Sequence, residues 1–203
     1  SGMWLFSPDV PVQVGDEIEV TGAVTEFNSK TQIANPTTTI VSVGNDLPSA
    51  EMLSTADAGT EPWEGVLVQV SGAVTNADAG FGEWALSDGK GDLRVDDAGF
   101  DAIDAGLVAA GNTLQVTGAL DYTFGNYKVQ PRAVADVLLS GCTNSSASNY
   151  NSLATIDDGS CLVEGGECTL FVSEVAEGSS NNKYIELYNP TSSPIFLDEY
   201  TFG

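Results

Sequence analysis

One pattern occurs three times in this chain: EIEVTGAVT from Glu17, VLVQVSGAVT from Val66 and TLQVTGAL from Thr113. Apolar and polar residues alternate through Ile18-Glu19-Val20, Val66-Leu67-Val68-Gln69-Val70 and Leu114-Gln115-Val116. A period of two is the signature of strands, and self-similarity of this kind marks an internal repeat. The glycines at 22, 72 and 118 stand at the same point of each copy, which predicts a bend or bulge where a long strand curls around a small barrel.

Around the second copy a whole module can be laid out. A strand is expected near 64–76, a hairpin through Phe81-Gly82-Glu83-Trp84-Ala85-Leu86, and a strand at Asp92-Leu93-Arg94-Val95. A short helix or loop over 99–109 and strands near 112–122 and 126–138 complete it. Five strands with an insertion between the third and fourth make an OB-fold, a small Greek-key barrel. The first copy matches only the later part of this plan. Ser1-Gly2-Met3-Trp4-Leu5-Phe6 corresponds to the segment before and within the third strand, and Val14-Gly15-Asp16-Glu17-Ile18 corresponds to Ala110-Gly111-Asn112-Thr113-Leu114. Residues 1–46 are therefore expected to hold three strands of an N-terminally truncated barrel with unpaired edges. The expected class is all-β: tandem OB-fold-like barrels over 1–46 and 62–139, a turn-rich linker over 47–61, an acidic linker over 140–166, and a further β-unit over 167–203.

The chain carries 29 acidic and 6 basic residues and no histidine, for a formal charge of −23. An apolar share of 42% is too high for a solvated tail and predicts a folded chain with an acidic surface. The acids are spread: residues 1–61 hold 9 against 1 base, 62–139 hold 11 against 4, and 140–203 hold 9 against 1. Duplex DNA would meet repulsion from every segment unless a local basic groove or bridging cations intervened. The missing histidine removes the usual general base and partner of nucleophilic Ser or Cys. No carboxylate pair stands out for glycosidase-type hydrolysis. No apolar run reaches the length of a membrane span.

GCTNSSASNYNSLATIDDGSC, from Gly141 to Cys161, has too few apolar residues to hold a shape without covalent closure. Cys142 is expected to pair with Cys161, which requires an oxidising compartment and hence export. A Cys161–Cys168 bridge is the competing assignment; if Cys142–Cys161 forms, Cys168 is expected to pair beyond Gly203. Asn149, Asn151, Asp157 and Asp158 offer hard oxygen ligands of the kind Ca²⁺ selects, though not at EF-hand spacing. The alternative is a polar turn in which these side chains cap their own backbone.

Three resemblances follow from these residues. Gly141-Cys142-Thr143, Asn149-Tyr150-Asn151 and Ala154-Thr155-Ile156-Asp157-Asp158-Gly159-Ser160-Cys161 resemble a linker repeat of large exported proteins of Bacteroidetes. Trp63-Glu64-Gly65, Gly82-Glu83-Trp84, Leu86-Ser87-Asp88-Gly89, Leu93-Arg94-Val95-Asp96-Asp97 and Phe124 through Arg132 resemble the OB-fold modules of bacterial extracellular nucleases. In that family such modules are accessory to a separate catalytic domain, often near a lamin-tail domain. Phe171-Val172-Ser173-Glu174-Val175, Glu177 through Asn189 and Ile195 through Tyr200 resemble the opening of a lamin-tail domain, an Ig-like β-sandwich.

An OB barrel holds single strands by stacking bases on aromatics beside cations, and Trp84, Arg94, Tyr122, Phe124, Tyr127, Lys128 and Arg132 are the available set. Core packing of the aromatics and surface pairing of the cations is the plainer alternative. The functional expectation is a secreted or cell-surface, non-catalytic accessory region of an exported multidomain nuclease-like protein. It would position nucleic acid or tether a catalytic domain, its partners being the rest of the parent chain and single-stranded nucleic acid or a surface polymer. The alternative is a structural or adhesive cell-surface spacer. A carbohydrate-binding reading rests on exposed aromatics alone.

Overall fold

The computed structural model describes residues 2–6, 11–162, 171–177 and 183–189. In chain order the strands are β1 (Trp4–Phe6), β2 (Glu17–Phe27), β3 (Lys30–Ser42), β4 (Glu51–Met52), β5 (Leu67–Gly80), β6 (Glu83–Ser87) and β7 (Asp92–Val95). They continue with β8 (Thr113–Thr123), β9 (Asn126–Gln130), β10 (Val137–Gly141), β11 (Ala154–Asp157), β12 (Phe171–Glu177) and β13 (Lys183–Tyr188). Among the described residues one short α-helix, α1 (Thr55–Ala58), precedes β5.

β5 pairs antiparallel with β6, and β6 with β7. β7 then runs parallel to β9, β9 antiparallel to β8, and β8 antiparallel to β5, which closes a five-stranded barrel. This is the OB-fold plan expected from the repeat. Alternation carries the inward face: Val68, Val70, Leu86, Leu93, Val95, Leu114, Val116, Leu120 and Val129 are all at most 2% exposed. Each such side chain contributes about 1.5–3 kcal/mol when removed from water.

The repeated glycines mark where strands change partners. β5 lies against β8 from Leu67 to Ala73 and passes to β6 from Ala73 onward; a Cβ on Gly72 would stand 2.5 Å from the Ser87 carbonyl oxygen. β8 leaves β5 at Ala119 and continues along β9, and a Cβ on Gly118 would collide with the Gln130 carbonyl. Gly22 sits in a register shift of β2 on β3, against the Ile33 side chain. Only a residue without a side chain admits these approaches.

The first copy repeats the late half of the barrel. β1 runs parallel to β3 and β3 antiparallel to β2, the order β1-β3-β2 corresponding to β7-β9-β8. Ile18, Val20 and Val24 occupy the places of Leu114, Val116 and Leu120, yet Ile18 and Val20 are only half-buried and Val24 is 62% exposed. The apolar pattern is present; no strands corresponding to β5 and β6 cover it among the described residues.

The segment at 47–61, read from sequence as a linker, is instead docked on the barrel. β4 adds parallel to β5, Thr55 and Ala58 are buried, and Thr55 Oγ1 donates to the Gly91 carbonyl at 2.6 Å. Ser54 caps α1 by accepting from the Asp57 N–H. The strand expected over 126–138 is also two pieces. Pro131 cannot donate to a ladder, and Arg132 turns the chain by pairing with Asp136 before β10 returns antiparallel to β8.

The boundary drawn at 139/140 therefore falls inside β10, and β11 extends the same sheet parallel to it. Cys142 is joined to Cys161, as expected. β12 and β13 form an antiparallel hairpin. Cys168, the turn at 190–192 and the strand expected from Ile195 lie outside the described residues. No described helix is long and apolar enough to cross a membrane.

Candidate functional site

Two hairpin tips of the barrel carry phenylalanines in backbone conformations that large side chains rarely adopt. Phe81 joins β5 to β6 with φ of 59°, and Phe124 joins β8 to β9 with φ of 51°. They are 98% and 93% exposed. A bulky residue at positive φ costs free energy, and such outliers persist where the surroundings or a function hold them. Both rings line one cleft of about 620 Å³.

The floor of this cleft is a charge network built on strand alternation. Glu83 of β6 accepts from Arg94 Nη1 at 2.7 Å and from Lys128 Nζ, and Lys128 Nζ also meets Asp96 at 3.3 Å. Burial pushes the Glu83 carboxyl up, but the hydrogen bonds from Lys128 and Arg94 outweigh it and hold the group below its usual range. The Lys128 ammonium lies 5.6 Å from the centre of the Phe124 ring. Asp121, 1% exposed, accepts from Gln130 Nε2 at 2.9 Å and pairs with Lys30 Nζ at 2.6 Å.

Lys30 belongs to the first unit, so Asp121 also anchors that unit to the barrel. Trp4 Nε1 donates to the Leu120 carbonyl at 3.3 Å, the Thr31 N–H donates to Glu64 Oε1 at 2.9 Å, and Lys30 stacks over the Trp4 ring at 4.9 Å. Burial raises the Glu64 carboxyl, its bond from Thr31 opposes this, and Glu61, Glu26 and Asp121 raise it further. A second cleft, of about 610 Å³, opens beside this junction and is lined by Phe6, Phe27, Lys30, Gln32, Tyr122 and Phe124.

The chain matches no model of a known protein family and no curated protein. The site therefore rests on its own geometry. Of the seven residues expected to form a ligand face, Arg94, Phe124 and Lys128 line the first cleft, and Tyr122 joins Phe124 in the second. Tyr127 packs against Tyr122 with ring centres 4.7 Å apart. Its hydroxyl donates to Glu61 Oε2 at 2.6 Å, and burial together with this bond keeps the phenol protonated far above its usual range.

Besides Tyr127, two of the seven line neither cleft. Trp84 is 1% exposed and fills the core, because it lies on the inward face of β6 with Leu86 and opposite Val95. Arg132 makes a two-pronged bond to Asp136, 2.8 Å from each guanidinium nitrogen involved, at the exit of β9. Lys128 is present but only 2% exposed and already paired. Phe81 was not among the expected residues. Its signal was Gly80-Phe81-Gly82, a large ring between two flexible residues at a hairpin tip, where no core is within reach.

The oxygens considered for calcium serve the backbone. Asn151, Asp157 and Asp158 accept from the N–H groups of Leu153, Gly159 and Ser160 at 3.0, 3.0 and 2.9 Å. Asn149 bridges the Ser160 carbonyl and the Leu162 N–H, at 2.7 Å each. These are the self-capping turns that Asn and Asp favour.

Proposed function

We propose that this chain is a non-catalytic binding and tethering region of an exported, nuclease-like multidomain protein, with the barrel face between the two Phe-tipped hairpins as its contact with an extended polymer. The observation that carries this reading is the placement of Phe81 and Phe124, strained, exposed and lining one cleft over a hydrogen-bonding floor. A concave site with apolar walls and a few convergent polar groups is the usual form of a binding site. The Cys142–Cys161 bridge supports an oxidising destination, secreted or at the cell surface. Resemblance of the barrel to accessory modules of extracellular nucleases supports the nuclease-like parent.

A second reading, a structural or adhesive surface spacer, is favoured by one specific observation. The segments flanking the barrel are bonded into it, through β4 on β5 and β11 on β10, rather than hanging free. Titrating labelled single-stranded DNA, at low salt with and without calcium, and soluble surface polysaccharides separates the two. Binding that weakens in Phe81→Asn and Phe124→Asn supports the binding region; no binding of any polymer leaves the spacer.

A further inference from the structure

Phe124 stands between two adjoining clefts and lines both. Phe81 lines the first, and Phe6 and Phe27 line the second. Phe27 and Phe6 are 62% and 58% exposed, so four phenylalanine rings lie open along one track. Each leaves in water apolar surface that a bound ligand would cover. Phe27 ends β2 at the place of Thr123, pairing with Lys30 as Thr123 pairs with Asn126, whereas Phe124 stands at the β8–β9 tip at the place of Asn28, both with φ of 51°. The two copies thus bring ring-bearing turns to one cleft, with their rings one position apart in the repeat.

Charge decides what such a track can hold. The chain carries −23, but the two clefts together are lined by three cations, Lys30, Arg94 and Lys128, and three carboxylates, Glu83, Asp96 and Asp121. Each cation already faces a carboxylate. A single-stranded nucleic acid needs cations available to its phosphates, and none of these three is unpaired. The acidic surface around the track repels a polyanion further. Paired carboxylates keep spare lone pairs, and Asn126 and Gln130 add amides, so the floor suits a ligand with many hydroxyls and no charge.

We propose that the two clefts form one track for a linear, uncharged polysaccharide, with the phenylalanine rings stacked on the apolar faces of successive sugars and the floor taking their hydroxyls. This deepens the binding-region reading and rests on it. At about 620 and 610 Å³, each cleft has the volume of an ordinary ligand site.

The test is native gel retardation of the full chain in hydroxyethylcellulose, soluble starch, β-1,3-glucan and galactomannan, beside alginate and labelled oligo(dT) as polyanions. Phe124→Asn, Phe81→Asn and Phe27→Ser are compared with wild type, and thermal melts establish that each folds; Asn tolerates the left-handed backbone at the two tips. At least one neutral polymer is expected to retard wild type equally at low and high salt. Phe124→Asn should weaken that binding about tenfold, the scale of one aromatic contact. The other two variants, each altering one cleft, should weaken it less. Failure of every neutral polymer, or retardation unaffected by Phe124→Asn, overturns the proposal. Oligo(dT) binding that requires Phe124, without glycan binding, overturns the glycan and leaves the binding region standing. No binding by any probe overturns both.

Discussion

Lys128 and Glu83 form an ion pair within the barrel wall, their side chains 2% and 8% exposed, beneath the ring of Phe124. A charge so placed cannot lose its partner without exposing the other to a poorly solvated site. Lys128→Met is therefore expected to cost about 3 kcal/mol, the low end for a broken buried pair because Arg94 still faces Glu83. Adding Glu83→Gln should recover part of the loss. Urea denaturation of the three proteins measures both effects.

Glu83 and Glu64 predict opposite pH dependences. Glu83 is held below its usual range, so its contribution is complete above the unfolded pKa and disappears as pH falls through the lowered folded value. Glu64 is raised above 4.5, so its contribution is complete below the unfolded pKa and is lost as pH rises through the folded value. Glu83→Gln should flatten the acid limb of melting temperature against pH. Glu64→Gln, which still accepts from Thr31, should instead remove a penalty at neutral pH, and melting curves across that range distinguish the two.

Closing the loop from Cys142 to Cys161 restricts the unfolded chain by about 3 kcal/mol in the chain-entropy model. The paired Ser variant is expected to lose about that much and to release β11 from β10. Hydrogen exchange should show faster exchange over 154–157 while the amides of β5 and β8 stay protected.

Because Asn151, Asp157 and Asp158 are engaged with backbone N–H groups, calcium is expected to leave the melting temperature unchanged. Calorimetry with added calcium and with chelator checks this; a clear rise with calcium would show that the turns open to bind it.

The barrel was legible because alternation and glycine position are local signals that determine strand faces and handover points. Gly72 and Gly118 show this, each at a close backbone approach between strands. The same signals placed the three strands of the first unit. What the sequence did not disclose was docking. Thr55 and Ala58 look like linker residues until their burial against the barrel is known, and Trp84 looks like a stacking residue until it is seen on the inward face of the closed barrel beside Leu86. Burial depends on which strands become neighbours, which no local window carries. Phe81 was legible in principle from its two flanking glycines, but a hairpin aromatic reads equally as packing.

The most direct test of the Phe-tipped face is amide hydrogen exchange of the full chain with and without a saturating amount of the polysaccharide that retards it most. Protection is predicted at residues 80–82 and 123–126, and at 27–29 in the second cleft. Unchanged exchange at both barrel tips, with protection confined to another surface such as the β12–β13 hairpin, would contradict the account.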